Sequence, residues 1–403
     1  MSRIDDLIRG LCPDGVEYKP LGEIGRLLGG LTGKTKADFV DGTARYVSYK
    51  NVYSNLEVDV TTDDFVRISD SETQNALRIG DILFTGSSEN REEVGLTSVV
   101  TSLPAQPLYL NSFCICFRPN ENFVLLSEFA KHLFRSNTIR HQVIKTATGV
   151  TRINISRKNL VKIQIPLPPI EVQQEVAGAL DQFTHLEAEM EAEMDIRKQQ
   201  YAHYLNHFFA SNTNTHMRTL GDIGPVRMCK RVMKSQTSQQ GDVPFYKIRT
   251  FGGTADTYIS RTLYDEYKEK YHFPQPGSIL ISAAGTIGRV VPYDGKDAYF
   301  QDSNIVWIEN NETLVLNSYL FYFYKTANWK TDGGTIKRLY NDRLLNTAIP
   351  VPPLSEQRRI VNCLDKFDTL VNDLSSGLPA EIEARRKQYE YYRDRLLTFP
   401  EKK

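Results

Sequence analysis

One motif occurs twice in this chain, and the duplication constrains the fold more than any other feature of the sequence. IPLPPIEVQQEVAGALDQF (residues 165–183) returns 184 positions later as IPVPPLSEQRRIVNCLDKF (residues 349–367). Shorter segments repeat in the same order, namely LGEIG with LGDIG (21–25, 220–224), IGDILFT with PGSILIS (79–85, 276–282) and ATGVTRI with GGTIKRL (147–153, 333–339). The offset drifts between 184 and 199, which favours two diverged copies of one domain over chance similarity.

Each copy carries the pattern of a mixed α/β domain. Short runs rich in Val, Ile, Phe and Tyr predict strands, as in DILFTG, NSFCICFRP, SILISAAG and SNIVWIEN. Two longer segments, LLSEFAKHLFRSNTIRHQVI (125–144) and LNSYLFYFYKTANWK (316–330), predict helices near the end of each copy. The expected fold class is therefore α/β of the mixed type, with two duplicated domains, each built around a twisted sheet.

Each proline motif is expected to end a strand and to start a long helix, because proline is tolerated in the first turn of a helix and not in its interior. After the first motif, apolar residues recur in steps of mostly three and four as far as Phe208. This predicts an amphipathic helix over residues 171–209, on the order of 58 Å long. The second stripe is interrupted by SSGLPAE (375–381), where Gly377 and Pro379 should break or kink the helix.

A helix this long must bury its apolar stripe against a partner. We expect that partner to be the second copy, so that two long antiparallel helices pack as a coiled coil that joins and separates the globular domains. A helical linker with no further role is the alternative. The boundaries that follow are 1–165 and 213–350 for the globular domains, and 166–212 and 351–403 for the two helical spacers.

The first helix contains a four-residue unit in tandem, in LEAEMEAEMD (186–195). One such unit changes the length of a helix by about 6 Å and turns its far end by about 40° beyond a full turn, so the apolar face is nearly preserved. We interpret the segment as an adjustable ruler, and a low-complexity acidic helix face is the alternative.

Charge is segregated along the chain, although 49 basic and 49 acidic residues bring the formal net charge to zero. Residues 123–165 carry eight Lys or Arg and one acid, and residues 226–249 carry six and one. Residues 166–212 reverse the balance, with two bases and eight acids. Basic patches beside an acidic connector indicate a protein of which only parts approach phosphates, and solvated charge on ordinary surfaces is the alternative.

Motifs for catalysis are missing from the sequence. It contains neither a GxxxxGK[ST] loop nor a GxGxxG after a strand, so nucleotide binding is not predicted. His203 and His207 have the spacing of metal ligands without the glutamate of HExxH, and we interpret them as packing or surface residues. TGSSENREE (85–93) and SAAGTIGR (282–289) follow a strand in both copies. A phosphate cradle and a polar loop both remain open for them, and their duplication favours a ligand contact.

The cysteines, the apolar runs and the N-terminal segment indicate the cellular compartment. The five cysteines form no CxxC pair, so neither a zinc site nor a disulfide framework is indicated. Apolar runs stay well below the roughly 20 residues of a membrane helix, and MSRIDDLIRGLCPDG lacks the positive flank of a signal peptide. We expect a cytoplasmic protein with no membrane partner.

Taken together, these motifs resemble the DNA specificity subunit of type I restriction-modification systems (the S subunit, or HsdS family) over essentially the whole chain. The paired IPLPP and IPVPP motifs, each followed by LDQF or LDKF, are the most specific part of the resemblance. RKQQYAHY (197–204) and GLPAEIEARRKQYEYYRDRLL (377–397) resemble the type IC branch.

The resemblance implies a division of labour. The globular parts would be target recognition domains, each reading one half of an asymmetric, bipartite double-stranded DNA sequence. The helices would set the gap and dock two methyltransferase (M) subunits, and restriction/translocase (R) subunits would join for cleavage. The chain itself would be neither an enzyme nor a cofactor protein, since S-adenosylmethionine, ATP and Mg belong to the partner subunits.

Individual contacts are predicted on physical grounds, because the resemblance assigns no base-reading position. The DNA-binding candidates are Lys50, Asn51, Arg91, Lys145 and Arg152 in the first domain, with Lys247, Arg249, Arg289, Lys337 and Arg338 in the second. A surface salt bridge is the alternative for each. The candidates for the inter-helix and partner interface are Met190, Met194, Tyr201, Leu364, Phe367, Tyr389 and Tyr392.

Two other classes of function compete with this interpretation. A self-sufficient DNA methyltransferase or nuclease is disfavoured by the missing cofactor loop and by the absence of Asn or Asp before Pro-Pro-Tyr or Pro-Pro-Phe. A two-module helical scaffold that binds proteins would carry its basic patches incidentally, and salt-dependent DNA binding would distinguish it.

Overall fold

Two compact units make up the chain in this computed structural model, which describes residues 3–69, 71–210, 216–331 and 338–402. Unit 1 comprises Met1–Met190 together with Ile382–Lys403, and unit 2 comprises Glu191–Glu381. Unit 1 therefore combines both ends of the chain, and unit 2 is continuous.

The globular part of unit 1 contains short helices and short strands. The helices are α1 (Arg3–Leu11), α2 (Leu21–Ile24), α3 (Tyr49–Ser54), α4 (Ser127–Leu133), α5 (Asn137–Lys145) and α6 (Arg157–Leu160). The strands are β1 (Tyr18–Pro20), β2 (Gly25–Gly29), β3 (Ala44–Val47), β4 (Phe65–Val66), β5 (Ile82–Thr85), β6 (Ser87–Ser88), β7 (Thr97–Val99), β8 (Leu108–Leu110), β9 (Cys114–Pro119), β10 (Ala147–Thr148), β11 (Ile153–Ile155) and β12 (Gln164–Pro166).

Two sheets form the body of unit 1. The antiparallel sheet β2-β9-β5-β7 buries β5 completely, and the sheet β4-β3-β8 pairs β3 with β8 in parallel. The ribbon β10-β11-β6 extends from the end of β5, and β1 pairs with β12 at the first proline motif. Phe84 and Phe117 of the larger sheet share one hydrophobic core with Tyr389 and Phe399 from the far end of the chain.

Unit 2 repeats this plan. Its elements are β13 (His216–Thr219), α8 (Leu220–Ile223), β14 (Val226–Arg227), β15 (Val243–Tyr246), β16 (Tyr258–Ile259), α9 (Arg261–Lys270), β17 (Ile279–Ser282), β18 (Val290–Pro292), β19 (Tyr299–Phe300), β20 (Ile305–Ile308), α10 (Asn317–Thr326), α11 (Asn341–Leu345) and β21 (Ala348–Val351). The sheets β14-β20-β17-β18 and β16-β15-β19 have the strand order and directions of the two main sheets of unit 1. The duplication seen in the sequence is thus a duplication of topology.

Three long helices complete the two units. They are α7 (Ile170–Phe209), α12 (Leu354–Asn372) and α13 (Leu378–Leu396). In unit 1 the ring of Phe183 stacks on Tyr392 of α13, with centroids 5.3 Å apart, and Glu187 pairs with Arg386 at 2.9 Å. Residue numbers rise along α7 while those of the contacted residues fall along α13, so the two helices are antiparallel.

The second half of α7 makes the corresponding pair with α12 in unit 2. The Tyr201 hydroxyl donates to the Asp368 carboxylate at 2.9 Å, and the Tyr204 and Phe367 rings lie 5.3 Å apart. This pair is also antiparallel. The expectation of long antiparallel helices is confirmed, with the second helix divided into α12 and α13.

The division falls at the predicted position. After α12 ends at Asn372, the Asp373 carboxylate accepts hydrogen bonds from the backbone and hydroxyl of Ser375 at 2.8 and 2.6 Å. A Cβ at Gly377 would lie 2.5 Å from the Thr369 carbonyl oxygen, so the chain can turn this closely only with glycine. The predicted interruption by SSGLPAE is confirmed.

Local predictions within the domains are confirmed with one correction. DILFTG, NSFCICFRP, SILISAAG and SNIVWIEN form β5, β9, β17 and β20. The segment predicted as one helix over residues 125–144 forms two, α4 and α5. Ser136 causes the break, since its backbone N–H and hydroxyl donate to the Leu133 carbonyl at 3.0 and 2.7 Å and end the first helix.

Candidate nucleic-acid interface

A cleft of about 900 Å³ lies in unit 1 where α3 meets the loop that follows β5. We call it the unit 1 cleft. It is lined by Tyr49, Lys50, Tyr53, Ser87, Ser88, Glu89, Glu93, Phe113, Thr151 and Arg152. The fold therefore brings Lys50 and Arg152, two predicted DNA-binding residues, onto one surface with the loop TGSSENREE.

Helix α3 forms one wall of the cleft. It starts two residues after the buried end of β3, and the Tyr49 hydroxyl donates to the Ser87 carbonyl oxygen at 2.7 Å. The rings of Tyr49 and Tyr53 stack with centroids 6.3 Å apart. With both tyrosines held against the neighbouring loop, Lys50 is left exposed to solvent.

Asn51 has a structural role in the same helix. It is only 4% exposed. Its amide donates to the Asp59 carbonyl oxygen at 2.7 Å, and its side-chain oxygen accepts from the Asp59 N–H at 3.1 Å. Because both ends of the amide hold the loop after α3, we leave Asn51 out of the DNA surface proposed below.

Arg152 forms the opposite wall, where the ribbon of β10 and β11 turns. Its guanidinium lies 5.5 Å from the centre of the Phe113 ring, and Nη2 donates to the Ser87 hydroxyl at 3.3 Å. The Phe113 side chain is 57% exposed. This stacking orders an arginine that keeps most of its donors free.

Arg91 and Lys145 are exposed but do not line the cleft. Arg91 lies in the loop between β5 and β7, and Lys145 is the last residue of α5. That Arg91 and Lys145 contact DNA stays a prediction.

The candidates of unit 2 are arranged differently. The Lys247 ammonium donates to the Thr257 hydroxyl at 2.8 Å, Arg249 forms an ion pair with Asp256, and Arg289 Nη1 donates to the Phe251 carbonyl at 2.6 Å. Arg249 and Arg289 are exposed. Arg338 is also exposed, and Lys337 lies outside the described residues.

Backbone hydrogen bonds identify corresponding positions in the two units. Val47 is the last residue of β3, and Tyr246 is the last residue of β15. The backbone carbonyl of each accepts a hydrogen bond from the N–H of the first residue after the parallel partner strand, at 3.0 Å in unit 1 and at 2.9 Å in unit 2. Three residues further on, Lys50 therefore corresponds to Arg249. One exposed cation occupies the same place in both domains.

The same criterion corrects the match between ATGVTRI and GGTIKRL. The N–H groups of Ile155 and Leu339 each donate at 2.9 Å to the first carbonyl after the central strand, β5 or β17. Ile155 therefore corresponds to Leu339, whereas the sequence match aligns Leu339 with Ile153, two residues earlier. Arg338 corresponds to Asn154, and it is not the counterpart of Arg152.

Two arginines of the basic segment 123–165 act inside the protein. Arg140 donates to three carbonyl oxygens of the loop between β5 and β7 at 2.6 to 2.9 Å. Arg135 donates to the Thr97 carbonyl at 2.7 Å and to carbonyls at the end of α3. Burial lowers the pKa of both to about 10. They position the walls of the cleft, a role that charge counting along the sequence missed.

Lys131 of the same segment is also buried. Its ammonium lies 2.8 Å from the carboxylates of Glu128 and Asp181, and although burial alone lowers the pKa of Lys131, these carboxylates raise it overall. His132 places Nε2 2.8 Å from Asp181 and Nδ1 2.8 Å from the Tyr389 hydroxyl. Part of the basic excess thus fastens α4 to the helix pair of unit 1.

Most predicted interface residues of the helices pack within their own unit. Tyr201, Leu364 and Tyr389 are buried, and Phe367 and Tyr392 are half-buried in ring contacts of the two helix pairs. Met190 and Met194 are half-buried on α7. Their contact with a partner subunit stays a prediction.

Other classes of site find no support in the described residues. Across them, no group of three or more His, Cys, Asp or Glu side chains is placed to hold a metal ion. His203 and His207 stack face to face on α7 with ring centres 6.0 Å apart. Within the same residues, each helix is too short or too polar to cross a membrane.

Comparison with known proteins decides the family. A sequence model described as the type I restriction modification DNA specificity domain matches residues 13–195 and, a second time, residues 212–384. The chain belongs to this family of type I DNA specificity proteins. The resemblance drawn from the proline motifs is confirmed, whereas its placement in the type IC branch stays a prediction.

Two relatives agree with this assignment. A putative type I restriction enzyme specificity subunit of Haemophilus influenzae, S.HindORF215P, is 40% identical over 394 residues, which cover 95% of this chain and 96% of the relative. The EcoR124I/EcoR124II specificity subunit of Escherichia coli is 32% identical over 267 residues, covering 61% and 65%.

In fold, the specificity subunit resembles a chain solved in work on complex assembly and conformational transition of the type I R-M system. The TM-score is 0.66 at 19% identity, with 95% of this chain and 97% of the other covered. The HsdS subunit of Thermoanaerobacter tengcongensis gives 0.50 at 20% identity, covering 97% and 98%.

Membership of the family settles the class of function. A type I specificity subunit recognises the DNA target of its system, and methylation and cleavage are catalysed by the M and R subunits with which it assembles. The interpretation as a self-sufficient methyltransferase or nuclease is therefore wrong.

Proposed function

We propose that this specificity subunit reads a bipartite, asymmetric double-stranded DNA target, with one half-site per globular domain. The observation that carries the proposal is the repeated cation, Lys50 in one domain and Arg249 in the other, at the same place in a duplicated fold. Two equivalent surfaces suit two separate DNA segments, and phosphate contacts of this kind give affinity without sequence preference.

Differences between the domains support an asymmetric target. The unit 1 cleft has the aromatic wall of Tyr49, Tyr53 and Phe113. At the positions of Tyr49 and Phe113, unit 2 has Ile248 and Asn304. Because base edges are read by side-chain shape and hydrogen bonding, unlike surfaces are suited to unlike half-sites.

The long helices set the gap in this proposal and dock two M subunits, one on each helix pair. α7 alone has 40 residues, about 60 Å of helix. Since most of the predicted interface residues are packed internally, we assign docking to apolar side chains that remain exposed on the helices, namely Leu186, Ile196, Tyr204, Leu370 and Tyr391.

The remaining assignments follow from this arrangement. Residues 1–165 and 213–350 are the target recognition domains, and residues 166–212 and 351–403 are the helical spacers. The chain needs no cofactor of its own, since S-adenosylmethionine binds the M subunits, and ATP and Mg serve the assembly with R subunits. The complex works in the cytoplasm, where its DNA substrate lies.

The adenine methylation pattern of a genome tests the proposal. Cells that produce the subunit with the M subunit of its system should carry a methylated motif of two short blocks separated by a fixed gap. Cells lacking only this chain should lose that motif. A motif that persists without the chain, or one continuous block, would contradict the proposal.

The salt dependence of DNA binding tests the role of the shared cations, and it also distinguishes this proposal from a protein-binding scaffold. Lys50→Ala and Arg249→Ala should each weaken DNA binding by the S–M complex and should reduce the slope of log K against log salt by about 1. The methylated motif should stay unchanged in both variants. Lys198→Ala, on the acidic stretch of α7, is the matched control, and an unchanged slope in all three would rule out the assigned phosphate contacts.

A further inference from the structure

Glu89 places an unpaired carboxylate in the unit 1 cleft. It is exposed, lines the cleft together with Lys50 and Arg152, and has no hydrogen-bond or ion-pair partner among the described residues. Nearby Glu93 is partly buried and accepts a hydrogen bond from the Asn90 amide at 3.1 Å. Of the two carboxylates that line the cleft, Glu89 is therefore the exposed one and the one that no group of the described residues engages.

A carboxylate on a DNA-facing surface is repelled by phosphates, so it is not expected where only affinity matters. It becomes useful where it meets a base edge, because Asp and Glu accept a hydrogen bond from the N4 amino group of cytosine in the major groove. Lys50 and Arg152 flank the cleft and offset the repulsion.

The surrounding cleft suits a base-reading role. Its aromatic wall is anchored, since the Tyr49 hydroxyl bonds the Ser87 carbonyl, and Arg152 is stacked on Phe113. Arg140 holds the loop that carries Glu89 through three carbonyl oxygens. A loop fixed in this way presents its acceptor at a defined place, as discrimination between bases requires.

Unit 2 lacks this carboxylate. β5 and β7 are joined by residues 86–96, and the corresponding strands β17 and β18 by residues 283–289, AAGTIGR, which contain no acid. The cation at Lys50 and Arg249 is common to both domains, whereas this loop differs in length and charge. Such a difference is expected of the part that distinguishes one half-site from the other.

We infer that Glu89 is a specificity-determining residue that reads a cytosine in the half-site of the first domain, an inference that rests on the proposed function. The carboxylate accepts a hydrogen bond from the cytosine N4 amino group. Loss of that acceptor should reduce the preference for cytosine at one position by about tenfold or more.

The test compares methylated motifs of the complete S–M complex carrying Glu89→Gln or Glu89→Ala. Both variants should make one cytosine position of one half-site degenerate, or shift its base preference, while the gap and the other half-site stay as in the wild type. Glu92→Gln, an exposed acid of the same loop that does not line the cleft, is the control and should leave the motif intact.

The outcomes separate this inference from the proposed function. A wild-type complex without a bipartite motif would overturn the proposed function itself. A bipartite wild-type motif that is unchanged in both Glu89 variants would overturn only the assignment of Glu89. A motif changed by Glu93→Gln and unaffected by the Glu89 variants would also overturn it. Because Glu89 is exposed, its replacement should leave the thermal unfolding temperature within about 2 °C of the wild type.

Discussion

Gln173 and Gln357 occupy the same place in the two units, in the first turn of the helix that follows each proline motif. Each amide oxygen accepts a backbone N–H at 2.9 Å, and each amide nitrogen donates to two backbone carbonyls at 2.8 and 2.9 Å. Both side chains are buried. A buried amide with these bonds satisfied explains why the duplicated motif keeps a polar residue among apolar ones.

Replacing this amide should destabilise one unit at a time. In Gln173→Ala, one N–H and two carbonyl groups lose their partner, and we expect a loss of about 3 kcal/mol in the free energy of unfolding of unit 1. Gln357→Ala should do the same to unit 2. Hydrogen exchange, which resolves the two units, is the measurement. Gln174→Ala is the control, since Gln174 is exposed, and a loss of the same size there would contradict the assigned role.

His132 should make unit 1 sensitive to acid. Burial lowers the pKa of His132 below the ordinary value of 6.5, despite the nearby Asp181 carboxylate. The unfolded chain therefore binds a proton more readily than the folded one, and stability should fall as the pH drops below about 6.5 toward the lowered pKa.

The comparison that isolates this effect uses His132→Gln, which removes the titrating group. Stability of unit 1, followed by hydrogen exchange between pH 7.5 and 5.5, should fall less steeply in the variant than in the wild type. The variant can be less stable throughout without affecting the test, because the slope is the quantity compared. Equal slopes in both proteins would contradict the assignment.

Among the elements, α7 is unusual because it contributes to both units without a break. The division between the units falls between Met190 and Glu191, where one EAEM repeat ends and the next begins. The repeated segment thus lies where a change of length leaves the globular domains themselves untouched.

Deleting residues 190–193 should therefore shorten the gap in the DNA target by one or two base pairs and leave both half-sites unchanged. Removal of four residues shortens the helix by about 6 Å and rotates it by about 40° beyond a full turn. Mapping of the methylated motif is the measurement. Replacement of the same four residues by alanine keeps the length and should keep the gap, and a changed half-site with an unchanged gap would exclude a ruler.

At the scale of the whole molecule, each unit contains a helical segment from the other half of the sequence. The chain that follows unit 2 returns to unit 1, where Phe399 and Leu397 join the core of the first domain. Val16 exchanges backbone hydrogen bonds with the same segment, accepting from Lys402 at 2.9 Å and donating to Pro400 at 2.7 Å. Each domain is thus completed by a helix from the other half of the sequence.

Phe399→Ala should consequently destabilise the first domain, from which it is far removed in sequence. The side chain is 5% exposed, and loss of a buried phenyl group costs about 3 kcal/mol or more. Hydrogen exchange should show faster opening in unit 1 while unit 2 keeps its protection. Tyr391→Ala, at a position 60% exposed, is the control. Equal effects on both units would contradict this account of the core.

Features that depend on residues close together in the chain were determined by the sequence itself. The duplication, the strands β5, β9, β17 and β20, the span of α7 and the interruption before α13 all follow from periodicity, proline and glycine within a few positions. Lys50 and Arg152 were proposed from the sequence as DNA-binding candidates, and the fold places both on the unit 1 cleft. That they contact DNA stays a prediction.

Burial and long-range partners were decided only by the tertiary structure. Arg135 and Arg140 carry the same charge as surface arginines, and only packing shows that they hold the cleft from inside. Asn51 likewise looks available in sequence and is buried in the fold. Which helix completes which domain was also undetermined, because a sequence pattern defines an apolar face, and the partner of that face depends on contacts between residues hundreds of positions apart.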